Sequence, residues 1–283
     1  MPRASSAVRE GASKTDRHWR RWGKLDPYFG VLGQGSNTRA MSDPAVRERF
    51  FAQGEAHIVQ VMDDLRRLAP APRGKALDFG CGVGRLLGPL AVRFDEVVGV
   101  DVSPDMLRLA AENTSAWPNV RLAETIEDAV ARAGPFDLVH TYIVIQHIGR
   151  RQGLAIIGRL LAATRPGGAF AIHFTVGDSS RRRALVNAFR YRLPPLQWAN
   201  NLARGRSWDL PVSEMNAYPV GPIMTMVRAT GAEPVLARSF DQGGHYGLML
   251  MGFTPGLSDA EEVDIRDAPT LRSGRAVEER PRR

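Results

Sequence analysis

One cysteine in 283 residues is the scarcest resource of this chain. Cys81 alone rules out a disulfide, a paired-cysteine metal site and an iron–sulfur cluster held by three thiolates, so no metal is expected. Lysine is nearly as rare: only Lys14, Lys24 and Lys75 occur, and the net charge of +8 with a sequence pI near 10.3 therefore rests on arginine. Such a balance raises nucleic acid as a partner. Yet much of the surplus gathers at the two ends, Arg3 to Lys24 and Arg272 to Arg283, with no recognisable binding module. A generic basic surface is the preferred account and nucleic acid the lesser one. No apolar run nears the ~18 residues of a membrane span, and the basic N-terminus has no apolar stretch behind it. The expectation is a soluble, cytoplasmic protein, 43% hydrophobic, built as one globular domain with extensions.

Against these absences, glycine is concentrated where it matters. The segment ALDFGCGVGRL, residues 76–86, is an apolar strand ending in Asp78, then Gly80, Gly82 and Gly84, then a helical pattern. A strand breaking into a glycine turn that opens a helix puts bare backbone N–H groups beside a ligand. The dinucleotide fingerprint needs its third glycine where Arg85 stands, and no Gly-Lys-Ser/Thr follows for a phosphate-binding P-loop. Some two dozen residues on, the run EVVGVD ends in Asp101, followed by Val102, Ser103, Pro104 and an amphipathic helix. Strand, acid at its end, helix is a layout in which a carboxylate can accept two hydrogen bonds from a ribose diol, or merely cap the next helix. FDLVHTYIVIQHI, residues 136–148, is a buried-looking strand running into a polar turn, and TRPGGAFAIHFT, residues 164–175, turns through Pro-Gly-Gly into another strand.

In order and spacing these four segments resemble the class I S-adenosylmethionine (SAM)-dependent methyltransferase family, specifically its small-molecule branch, over about residues 50–255. The resemblance implies SAM as cofactor. It implies that Asp78, Gly80, Cys81, Gly82 and Gly84 hold the methionine end, with Asp78 facing the ammonium directly or through water and Cys81 packed beneath. It implies Asp101, with Val102, at the ribose. The adenine amino group points to Glu124 or Glu127, although either reads equally well as an exposed acid at a helix start. Past the fourth strand, Tyr142, Gln146 and His147 fall over the expected methyl position, with His147 the candidate base or orienter and a plain core histidine its rival. His173, Tyr218 and His245, with Asn216 and Tyr246, are candidates for the acceptor pocket. The Asn/Asp-Pro-Pro-Tyr turn of amino-methyltransferases is absent, since Thr141-Tyr142-Ile143-Val144 stands there, and RNA cytosine-C5 chemistry lacks its cysteine.

The coarse pattern predicts a helix over 44–68, then strand 75–79, helix 84–93, strand 96–101, helix 104–114, strand 119–123, helix 125–133, strand 136–143, helix 151–164 and strand 169–175. A helix over 219–230 and strands over 233–240 and 245–254 close the chain. The alternation demands a Rossmann-like α/β sheet, mostly parallel, with helices on both faces. The closing hairpin gives seven strands with the last antiparallel, as in the family. Residues 1–20 and 257–283 read as flexible tails. Residues 21–70 are expected to form a helical cover, since DPYFGVL resembles stretches preceding small-molecule methyltransferase domains. The domain proper is expected over 71–256, with 177–216 as a specificity insertion. Within it, Arg181–Trp198 reads as a lid rather than a membrane-surface helix. The function expected is transfer of a methyl group from SAM to a small-molecule acceptor, a sugar, natural product or metabolite, at oxygen. RNA or protein methylation, or a non-catalytic SAM-binding regulator, are the alternatives.

Overall fold

The strands of this protein are apolar along their whole length because both faces of the sheet are covered: Ala76 and Leu77 in one strand, Val97 and Val98 in the next, and Leu138 and Val139 in a third are all buried. The structure, a computed structural model, describes residues 13–32, 38–178 and 215–256. Seven strands lie in the order β3-β2-β1-β4-β5-β7-β6. They are β1 Lys75–Phe79, β2 Glu96–Val100, β3 Val120–Ala123, β4 Phe136–Thr141, β5 Thr164–Asp178, β6 Val235–Asp241 and β7 His245–Phe253. Strands β1 to β5 pair in parallel, and β7 runs antiparallel between β5 and β6.

Helices α1 Lys14–Leu25, α2 Pro27–Leu32 and α3 Pro44–Arg66 precede the sheet. Then come α4 Leu87–Ala91, α5 Pro104–Asn113, α6 Ile126–Ala133, α7 Arg150–Ala163 and α8 Val220–Ala229. Helix α3 starts where Pro44 cannot offer an N–H and Asp43 accepts from Ala45 N–H, and it lays Ile58, Val61, Met62 and Leu65 on one sheet face beside Leu87, Leu90 and Ala110. The other face carries Ile126, Ala129, Ile156, Ile157, Leu160, Ile223 and Val227 from α6, α7 and α8. Asp64 of α3, buried, is held by Arg238 of β6 at 2.8 Å, which ties the front helix to the far edge of the sheet.

Several boundaries differ from the sequence reading: β5 runs Thr164–Asp178, taking in the Pro-Gly-Gly segment expected as a turn, and three other differences have a local cause. The first crossover helix begins at Leu87 rather than 84, because Gly84 adopts φ +81°, which a right-handed helix cannot contain. Strand β4 stops at Thr141 because Ile143 turns to φ +62°. At the N-terminus α1 begins at Lys14, inside the stretch expected to be a tail. Its Ser13 side chain accepts from Asp16 N–H and the Asp16 carboxylate accepts from Ser13 N–H, a capping box that fixes the helix start. The expected lid Arg181–Trp198 and the tail 257–283 lie outside the described residues, as does most of the expected insertion 177–216.

Candidate active site

At the carboxyl ends of β1, β2 and β4, where the strand order reverses, the chain lines a half-open cavity of ≈ 250 Å³. Its floor is the glycine turn. Gly80 takes φ +77°, and a Cβ there would come within 2.3 Å of Val144, so β1 and the turn after β4 meet as closely as backbone allows. The turn is not a set of bare donors, however. Gly80 and Cys81 N–H both donate to the Val100 carbonyl at 2.7 and 3.0 Å, and Gly82 N–H donates to Asp101 Oδ2 at 3.0 Å. The sequence reading is corrected here: the turn supplies shape, and its N–H groups fasten it to the end of β2. Gly84 lies off the cavity, pressed against Ala110 and Thr114 of α5. Cys81 does line the cavity, and burial pushes its thiol well above the ordinary range, helped by Asp101 and Asp78.

Asp101 lines the cavity with both oxygens fixed, Oδ2 by Gly82 and Oδ1 by Ser103 N–H at 2.9 Å. Burial pushes its carboxyl up to about 6, against those two hydrogen bonds. Val102 and Glu124 share the same wall. Glu127 touches the cavity but its carboxylate is ion-paired to Arg159 at 2.7 Å. Over the top come Thr15, Asp16 and Trp19 of α1 and Gly30 and Val31 beside them in α2. Arg20 Nε fastens α1 down by donating to the Val102 carbonyl at 3.2 Å.

At and behind the opposite wall, two charged side chains lack full partners among the described residues. Asp78 is buried with Oδ1 against His140 Nδ1 at 2.8 Å, while Oδ2 has no partner. Asp78 itself does not line the cavity, although its successors Phe79 and Gly80 do. Arg85 does line it. The guanidinium is buried and lies 5.7 Å over the Phe50 ring, and its Nε has no hydrogen-bond partner among the described residues; burial lowers its pKa, against the pull of Tyr142 and Asp78. A buried cation and a half-paired buried anion that feel each other without touching each cost free energy that a polar ligand would return.

The acceptor-side candidates divide. Tyr142 and His147 line the cavity, with the Trp19 ring 5.1 Å from that of His147. Burial raises the Tyr142 phenol. Gln146, His173, Tyr218 and His245 do not line it. Gln146 is fully buried, its side-chain amide without a partner among the described residues. Tyr218 reaches inward, its hydroxyl donating to the carbonyl of Ile148 at 2.6 Å with that of Ile145 at 3.0 Å, and it ties the segment before α8 to the turn after β4. His173 accepts at Nδ1 from the strained Ile143 N–H at 3.1 Å, stacks on Phe240 and has its pKa lowered to about 3 by burial, then His147 and His140. His245 pairs with Asp178 at 2.6 Å at the start of β7, Asn216 serves the Gln146 carbonyl, and Tyr246 is half exposed. Arg85, Trp19, His57 and His140 were missed from the sequence. For Arg85 a signal existed, a lone arginine inside a glycine motif; the histidines gave none, because their meeting spans α3 and β4.

A sheet of this order with β7 reversed, a glycine turn after β1 and an acid after β2, defines the class I SAM-dependent methyltransferase fold. Residues 76–168 match the family model described as a methyltransferase domain, and this segment belongs to that family. An uncharacterized methyltransferase of Synechocystis is 36% identical over 109 residues, 38% of this chain and 50% of that protein. Ubiquinone biosynthesis O-methyltransferase of a Methylobacterium species is 37% identical over 113 residues, 39% of this chain and 44% of that protein. The chain thus spans half or less of the length of these curated relatives. Among solved structures, magnesium protoporphyrin IX methyltransferase of Synechocystis with bound SAM superposes with a TM-score of 0.53 at 18% identity, covering 86% of this chain and 99% of the other. N-methyltransferase NodS of Bradyrhizobium japonicum with S-adenosylhomocysteine (SAH) gives 0.52 at 16% identity over 86% and 100%. At such identities the likeness is one of fold. No helix among the described residues is long and apolar enough to cross a membrane.

Proposed function

We propose that this chain is a SAM-dependent methyltransferase that methylates a small-molecule acceptor at oxygen. The observation carrying the reading is the charge arrangement in and just behind the cavity: among the described residues Arg85 lines it with no carboxylate in ion-pair contact, Asp78 behind it keeps Oδ2 without a donor, and Asp101 is fixed at the other end. An α-amino acid joined to a ribose presents the matching set: a carboxylate for Arg85, an ammonium for Asp78 and a diol for Asp101, whose oxygens each keep a lone pair. Bound there, the cofactor would supply an electrophilic methyl group on a sulfonium. Displacement at a sulfonium needs no acid for the leaving group, so the protein's part is alignment and exclusion of water. Val102 and Glu124 flank the adenine side, Trp19 closes the top, and Tyr142 and His147 orient the acceptor. The partly covered cavity under α1 and α2 is of a size for small molecules, and one relative is by name an O-methyltransferase of ubiquinone biosynthesis. Calorimetry with SAH tests the cofactor: micromolar binding is expected. Transfer of labelled methyl to phenols and sugars then tests the acceptor. A protein that ignores SAH would sink the proposal.

A further inference from the structure

Among the described residues Ile143 is the one residue other than glycine with a positive φ, +62°. A β-branched side chain is poorly suited to that conformation, because its Cβ substituents crowd the backbone there. The strain has a visible product. Tyr142, Ile143 and Val144 follow one another in the chain and all three line the cavity, which an extended strand with its alternating faces would not allow. Strain of this kind persists only where the surroundings hold it. The hold on Ile143 comes from β5: its N–H donates to His173 Nδ1 at 3.1 Å. The same imidazole meets the Tyr142 ring edge-on, centroids 5.3 Å apart, while His57 lies flat on that ring at 3.7 Å. His173 is fixed in turn by Phe240, stacked on it at 5.0 Å, and by Gly247 of β7, where a Cβ would come within 2.6 Å of Nε2.

The imidazole is a costly way to fill this space. A donor on Ile143 requires a lone pair at Nδ1, so the neutral ring carries its proton on Nε2, which is buried with no partner among the described residues. A leucine would pack here without that unpartnered N–H. What the imidazole adds is the acceptor that faces Ile143. Burial, then His147 and His140, lower its pKa to about 3, so the lone pair persists at ordinary pH. Resting on the reading of the cavity as the cofactor site, we propose that His173 is a positioning residue: it holds Ile143 in the left-handed turn and thereby sets the wall of Tyr142, Ile143 and Val144 against which the cofactor is aligned. His173 itself stands behind that wall and touches no reactant.

Calorimetry with SAH on the full chain tests the assignment. His173→Phe keeps a ring but removes the lone pair, and should weaken SAH binding about tenfold, the equivalent of one hydrogen bond. His173→Asn places its Oδ1 where Nδ1 stood and should recover most of that loss, which a role in packing alone would not predict. Ile143→Gly takes the positive φ without strain, so in that background His173→Phe should cost about threefold or less. An unmoved affinity in His173→Phe, an equal loss in both backgrounds, or an Asn variant no better than Phe overturns the proposal. Nitrogen-15 NMR of the wild-type chain decides the matter even where a variant fails to fold. His173 should show Nε2 protonated, Nδ1 bare and a coupling across the hydrogen bond to the Ile143 amide; a proton on Nδ1 refutes it. A wild-type protein that ignores SAH strikes the cofactor reading, whereas wild-type binding with unmoved variants strikes His173 alone.

Discussion

Replacing Arg85 by Met should move stability and affinity in opposite directions. In the unliganded protein the Arg85 guanidinium is buried against Phe50 without a hydrogen bond or an ion pair among the described residues, and burial depresses its pKa more than Tyr142 and Asp78 raise it. Exchange for an unbranched apolar chain removes that desolvation cost while keeping most of the contact area, as when buried ionic groups give way to apolar ones. A gain on the order of 1 kcal/mol or more in unfolding free energy is expected. With SAH present the same exchange removes a charge-assisted hydrogen bond to the amino acid carboxylate, about 1.5–3 kcal/mol, or roughly a ten- to hundredfold weaker Kd. Urea denaturation without ligand measures the first effect, and calorimetry with SAH the second. A variant that is less stable than the wild type and binds SAH equally well would show that Arg85 is a packing residue, and the charge argument for the cavity would fall.

Asp101 sets a pH dependence of known sign. Its carboxyl titrates near 6, and only the ionised form accepts two ribose hydroxyls, so SAH affinity should hold above that value and fall, approaching tenfold per unit, as pH drops below it. Asp101→Asn should bind weakly at every pH with this slope gone, as calorimetry from about pH 5 to 8 would reveal. Gly80→Ala forces a Cβ into Val144 at a positive φ, and a loss of about 2 kcal/mol or more in stability together with SAH binding is expected in thermal and calorimetric titrations. Tyr218→Phe leaves the Ile148 carbonyl without its donor and should cost about 1–3 kcal/mol in urea denaturation while SAH affinity stays put, separating it from the site.

The parts legible in the sequence were those written in contiguous residues. That Gly80, Gly82 and Asp101 come together was readable from spacing alone, because a strand–turn–helix unit of about 30 residues closes on itself, whereas Gly84 packs against α5 instead. The sheet followed from alternation and the final hairpin. What escaped was decided by direction. Period-two alternation could not say that His173 lies under Phe240 rather than in the cavity, nor that Tyr218 points inward to carbonyls. The turn after Asp78 looked like a row of free donors because the sequence does not reveal that Val100 takes two of them. The Ser13–Asp16 capping box was legible, four residues in a standard pattern, but the surrounding arginines and glycines masked it as tail. The meeting of His57 with His140 depends on how α3 is laid across β4, a tertiary fact that neither segment encodes alone.

Helix α5 carries more than its own packing. It starts two residues after Val102, its Met106 is buried among the α2 and α3 residues, and its Asn113 hydrogen-bonds Tyr28 of α2, Arg47 of α3 and the Val83 carbonyl of the glycine turn. Roof and floor are therefore bolted to a single beam. Any ligand that tightens the floor tightens the roof, so the helix bearing Arg17, Arg20, Arg21 and Lys24 becomes a reporter of occupancy: a protease that cuts after basic residues should clip it readily in the bare protein and slowly once SAH is aboard.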